Sequence, residues 1–222
     1  EGVVNVNVWT GYAVNVISRT GKRRTIVGPA SCMLNYDETL ESVTLSTGKP
    51  KTTDNTVTTA YLRVENNKVS DIISAQTKDF VDVSIKVSYC VIFLPEFKDK
   101  LFSVDNYVKY LCDRQRSLLK REIKKYTIEE FYNNATEIVR KVTLNSDVEK
   151  NEYAGRFFKE NGMLVYDVEV LEVRVDRNVA NILNEFQSNS VRKALELSDA
   201  NKNMEKIVSK FQIDMLYGKP VI

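Results

Sequence analysis

Residues 80–93 read FVDVSIKVSYCVIF, and this stretch limits the possible folds more than any other. Val81, Val83, Ile85, Val87, Tyr89, Val91 and Phe93 point one way, while Asp82, Ser84, Lys86 and Ser88 point the other. Side chains alternate along a strand, so the pattern predicts a long strand with one face in a core. Such a strand belongs to a sheet whose apolar face is covered. Two covers follow directly. After Pro95, Ser103 reads as the N-cap of VDNYVKYLCDRQRSLLKREIKK, where Val104, Val108, Leu111, Leu118 and Ile123 fall near one face. Thr127-Ile128-Glu129-Glu130 then fits a capping box, and Phe131, Ala135, Ile138, Val139 and Val142 form the stripe of a second helix.

The polar segment 145–156 reads as a loop, and Gly162 opens the strand MLVYDVEVLEVRV. Its apolar phase runs 164, 166, 168, 170 and then slips to 171, 173, 175, which predicts a bulge near Val170-Leu171. The first third reads as short strands. VVNVNVW alternates, and YAVNVIS with RRTIVG forms a hairpin turning at Gly21. Gly28-Pro29 breaks the pattern, ESVTLS is another short strand, and Gly48 and Pro50 end it. TVTTAYLRV, residues 56–64, reads as one strand, with turns at Asn66-Asn67 and Lys78-Asp79 beyond it.

From about Arg177 to Leu216 the periodicity is helical. Val179, Ile182, Phe186, Leu195, Met204, Ile207 and Phe211 recur at helical spacing, with an interruption around Ser198 to Asn203. A continuous helix of that length reaches ~60 Å at ~1.5 Å per residue. A domain this small cannot cover it, so its stripe is expected to meet another chain. These seven residues are the candidate assembly interface.

Chemistry is harder to find. Histidine is absent, which excludes a Ser-His-Asp triad, a Cys-His dyad and histidine-based zinc sites. Cys32, Cys90 and Cys112 form no C-x-x-C pair and suit buried thiols in a reducing compartment. LSTGKPKTT hints at a phosphate loop, but Val43 stands where the first glycine belongs and Pro50 where Ser or Thr is needed. It reads instead as a turn with solvated lysines. The acidic pairs Asp37-Glu38 and Glu129-Glu130 lie in a turn and in a first helical turn, where acids complement the dipole. Thirty-two Lys plus Arg against 30 Asp plus Glu leaves no polyelectrolyte character. Locally, Arg116, Lys120 and Lys124 are spaced i, i+4, i+8 and form one basic helix edge, a candidate contact for nucleic acid or anionic lipid. No apolar run is long enough to span a bilayer, and no cofactor or metal pattern is present. A chain opening at Glu1 without Met points to processing or to a piece of something larger.

Taken in order, YAVNVISRTGKRRTIVGP, LSTGKPK, DIISAQTKDFVDVSIKVSY, LFSVDNYV, IEEFYNNATEIVRKV and FFKENGMLVYDVEVLEVRV resemble the major vault protein family. The resemblance covers roughly residues 10–197, from a last β repeat through the shoulder domain into the start of the cap helix. The shoulder is also similar to the stomatin/prohibitin/flotillin (band 7, SPFH) fold. The fold class so implied is α+β: an antiparallel β repeat at 1–56, a shoulder sheet with two packed helices at 57–176, and a long helix with its tail at 177–222. The resemblance implies a cytoplasmic, non-enzymatic scaffold that assembles side by side with copies of itself into a ring, cage or shell. A protein or RNA cargo is what a ribonucleoprotein particle of that kind would enclose. A band 7-type scaffold at a membrane surface, or nucleic-acid binding through the basic helix 114–125, is the alternative.

Overall fold

The alternating stretch forms a 12-residue strand, Asp82–Phe93, at the centre of a four-stranded antiparallel sheet in the computed structural model. The structure describes residues 4–145 and 154–216. The strands are β1 (Asn5–Val8), β2 (Tyr12–Ser18), β3 (Arg23–Val27), β4 (Ala30–Met33), β5 (Glu38–Leu40) and β6 (Val43–Ser46). They continue with β7 (Thr56–Thr59), β8 (Leu62–Arg63), β9 (Asn67–Gln76), β10 (Asp82–Phe93), β11 (Arg156–Phe158) and β12 (Met163–Val175). The helices are α1 (Tyr107–Ile123), α2 (Ile128–Leu144) and α3 (Arg177–Leu216), with a 3-10 turn at Pro95–Lys100. The fold is α+β, and the chain divides at Val175/Asp176 into two compact units.

The central sheet runs β11-β12-β10-β9, with α1 packed on β9 and α2 on β12. Val83, Ile85, Val87, Tyr89, Val91 and Phe93 of β10 are buried beneath the helices. Fully burying an aliphatic or aromatic side chain of this size contributes about 1.5–3 kcal/mol, so this row carries much of the fold's stability.

β12 meets that row by a device the sequence half reveals. Met163, Val165, Val168, Val170, Val173 and Val175 stand opposite Phe93, Val91, Tyr89, Val87, Ile85 and Val83. Their spacing is two, three, two, three, two. Each step of three is a bulge, and the extra residues are Tyr166 and Leu171. The bulge at Leu171 is the expected one. The bulge at Tyr166 was not legible, because Leu164 and Tyr166 looked in phase with Val168 and are not.

Several local expectations change. The N-cap of α1 is Asn106, whose side chain accepts from Lys109 N at 3.0 Å, and not Ser103. Asn106 also donates to Ser46 Oγ at 2.9 Å, a tertiary contact invisible to local pattern. Residues 56–64 split in two, β7 pairing with β6 and β8 with β2. Residues 146–153 of the expected 145–156 loop lie outside the described residues, and β11 begins at Arg156. Thr127 caps α2 with the full box, Glu130 answering its backbone N–H. Gly162 lies in the turn just before β12 with φ +70°, and a Cβ there would lie 2.4 Å from Phe97 Cβ. Both its conformation and its packing require glycine.

The first unit's main core also takes in Ala13 and Val43 from the N-terminal strands. Val6, Val8 and Val14 form a second, smaller cluster. Trp9 stacks on Tyr61 with ring centroids 5.3 Å apart.

Candidate functional site

The sequence LSTGKPK ends in a buried clasp. The Asp71 side chain is fully buried on β9. It accepts from Arg116 Nε and Nη2, both at 2.8 Å, and from the Lys51 backbone N–H at 3.0 Å. Arg116 Nη2 closes the circuit on the Lys51 carbonyl at 3.0 Å. A bidentate guanidinium-carboxylate pair of this kind is strong and geometrically demanding. The bond to Asp71 pushes the Arg116 pKa up, so the guanidinium stays charged. Lys51 is itself buried, and burial pushes its ammonium pKa down. Its Nζ donates to the Thr47 carbonyl at 3.0 Å. Lys51 is therefore not a solvated lysine; only Lys49 of the pair is exposed. The turn is a bolt between the β6–β7 hairpin and the α1/β9 layer.

The basic helix edge divides accordingly. Arg116 is committed to Asp71 and Asp113. Lys120 and Lys124 stay exposed and line an open groove with Arg121, Ser74, Gln76 and Asp82 at the outer side of β9. A second bolt lies beside it. Asp79 takes hydrogen bonds from the Thr77 hydroxyl and from Ile128 N at the start of α2. Lys78 N donates to the Tyr126 carbonyl at 2.9 Å. Desolvation pushes the Asp79 pKa up, but the Thr77 and Ile128 donors together outweigh it and hold the carboxyl below its ordinary value.

Cys90 and Cys112 are buried as expected, whereas Cys32 is only half-buried. Burial pushes Cys112 well above the ordinary thiol range and Cys90 upward as well. Among the described residues no group of three His, Cys, Asp or Glu could hold a metal ion. No described helix is long and apolar enough to cross a membrane.

The helix-borne candidates lie on α3. Ile182, Phe186, Leu195, Met204 and Ile207 are exposed, and Val179 is half-buried. The side chain of Phe211 lies outside the described residues. Val191, Leu197 and Val208 are further exposed apolar residues on this helix. The sequence reading had passed over Val191 and Leu197, although Val191 stands four residues before Leu195 and Leu197 seven before Met204.

Comparison with known proteins places this architecture. The family model for the shoulder domain (MVP shoulder) matches residues 65–176. The sea urchin Strongylocentrotus purpuratus major vault protein is 29% identical over 205 residues, covering 88% of this chain and 23% of that protein. Major vault protein beta of Dictyostelium discoideum is 26% identical over 201 residues, covering 88% and 23%. The human major vault protein is 25% identical over 234 residues, covering 96% and 25%. The chain thus spans about a quarter of the length of the curated relatives it matches. With the shoulder model matched from the end of β8 to the end of β12, this chain belongs to the major vault protein family.

Proposed function

We propose that this chain is a non-enzymatic building block of a vault-like particle. Copies associate side by side through the shoulder, residues 57–176, behind a β repeat at 1–56. Their C-terminal helices, residues 177–222, pack in parallel. The observation that carries this reading is the apolar surface of α3: Ile182, Phe186, Leu195, Met204 and Ile207 are 52–63% exposed. Apolar residues at helical spacing, left open to water over so many turns, fit a surface made for another chain. The names of the relatives, major vault proteins, support the same reading. A cytoplasmic particle enclosing protein or RNA is the setting this implies.

Size-exclusion chromatography with light scattering tests it. The chain is expected to run as an oligomer whose mass grows with concentration, and Ile182→Glu with Phe186→Glu is expected to lower that mass while the first unit keeps its unfolding temperature. A strictly monomeric wild-type chain at high concentration would sink the reading. Nucleic-acid binding through the basic edge is the weaker alternative, since the Asp71 carboxylate already occupies Arg116.

A further inference from the structure

At the same level, the two flanks of the central sheet present charges of opposite sign that are unpaired among the described residues, Lys120 and Lys124 on one and Glu137 on the other. The register runs Ile73–Ile85–Val173 and Ser74–Ser84–Arg174 straight across β9, β10 and β12. At the β9 end of these rows lies the groove with Lys120, Arg121 and Lys124 beside Ser74, Gln76 and Asp82, whose carboxylate accepts from Gln76 Nε2 at 3.3 Å. At the β12 end a second groove holds Val173 together with Tyr132, Thr136 and Glu137 of α2. Lys120, Lys124, Tyr132 and Glu137 are all exposed. Lys120, Lys124 and Glu137 have no ion-pair partner among the described residues. Helix macrodipoles favour bases near the end of α1 and acids near the start of α2. They give no reason for the two signs to finish on opposite flanks of the same rows.

We infer that these flanks are the two halves of one head-to-tail contact between copies of this chain. The Lys120–Lys124 groove of one copy receives the α2 flank of the next, with Glu137 against the lysine ammonium groups and Tyr132 against their methylene stems. This rests on the self-assembly reading above. Because both grooves sit on the same rows, a neighbour meets its partner without a step along the strands. A heterologous contact of this kind closes into a ring when the rotation between successive copies closes.

The edge of β12 also limits the kind of contact. Bulges at Tyr166 and Leu171 interrupt its ladder, and Arg140 Nη1 donates to the Val168 carbonyl at 3.1 Å. Bulges and a covering charge are the usual ways of blunting an edge against further strand pairing. The flank contact is therefore made by side chains and charge, not by extending the sheet. Charge of this sort sets the register and speed of association and is weakened by salt.

Sedimentation velocity of the full 222-residue chain tests the assignment, at about 50 mM and about 500 mM salt. Lys120→Glu with Lys124→Glu is expected to weaken low-salt association at least about tenfold, with circular dichroism unchanged. Glu137→Lys alone, which leaves the lysine groove untouched, is expected to weaken it likewise. All three changes together are expected to restore association to within about threefold of wild type, because the pairing is re-formed with its signs exchanged. Undiminished association of both charge-reversed chains overturns the flank assignment and leaves the assembly reading standing. A wild-type chain that stays monomeric overturns both. If a labelled oligouridine binds monomeric wild type at low salt but not the lysine-reversed chain, the groove is a nucleic-acid site and the inference falls.

Discussion

Phe131 and Phe186 are the same residue on two amphipathic helices, and their fates are opposite. Phe131 on α2 is fully buried against the central sheet, whereas Phe186 on α3 is 61% exposed. The contrast extends to whole regions. In the shoulder, apolar stripes face a sheet in the same chain, and charged groups such as Asp71 and Arg116 are paired inside. On α3, Ile182, Phe186, Leu195, Met204 and Ile207 face water, and the ion pair Arg192–Glu196 is an exposed i,i+4 contact. Exposed pairs of that type contribute little. One region satisfies itself by folding, and the other leaves apolar side chains open to water.

The sharpest way to break this contrast is to hollow out the satisfied side. Phe131→Ala removes a ring with no exposure and is expected to cost about 3–5 kcal/mol in chemical denaturation of the first unit. A loss below about 1 kcal/mol would mean that α2 is not part of the shoulder core.

Next comes the clasp. Asp71→Ala leaves Arg116 facing the sheet without its carboxylate, and the Lys51 N–H without an acceptor. Breaking a buried pair by removing one partner costs about 3–5 kcal/mol; because the Arg116 side chain retains 18% exposure, the lower end is expected. Thr127→Ala is smaller, about 1 kcal/mol, since it removes one cap from α2 while the Asp79 carboxylate still accepts from Ile128 N. Both are read from urea midpoints at constant m-value.

These variants also divide what the sequence shows from what it hides. The capping box at Thr127 and Glu130, the alternation of β10 and the bulge at Leu171 all arise from neighbours in the chain, so local pattern finds them. The clasp joins positions 51, 71 and 116, and nothing local marks Lys51 as buried or Arg116 as spoken for. The true cap of α1 was missed for the same reason: Ser46, sixty residues earlier, holds Asn106 in place. The basic edge was visible as spacing. Its division into one structural arginine and two open lysines is a property of the folded sheet. The α3 stripe was legible in part: Ile182, Phe186, Met204 and Ile207 follow the helix's own periodicity, whereas the exposure of Val191 and Leu197 and the burial of Leu183 were not read from it.

Acidification probes the same region more gently. Asp79 has its pKa lowered in the folded chain, so folding is favoured by its charged form. That contribution is fully present above the ordinary aspartate pKa of about 3.9 and is lost as pH falls through the lower folded value. Between about pH 5 and pH 2, wild type is expected to lose more stability than Asp79→Asn, measured by thermal unfolding across the series. Parallel curves would show that the Thr77 and Ile128 hydrogen bonds do not favour the carboxylate.

The smallest effect is the most informative. Phe186→Ala is the same substitution as Phe131→Ala, yet it is expected to change the unfolding free energy of the first unit by less than about 0.5 kcal/mol. A side chain that keeps most of its surface in water in the folded chain loses little when it is removed. If the substitution instead destabilises the first unit by more than about 1 kcal/mol, then Phe186 belongs to that unit's own packing and the apolar face of α3 is not held in reserve. If it leaves the unit unchanged but shifts the concentration dependence of oligomer mass, both phenylalanines are core residues. The core of one lies within the chain, and the core of the other forms between chains.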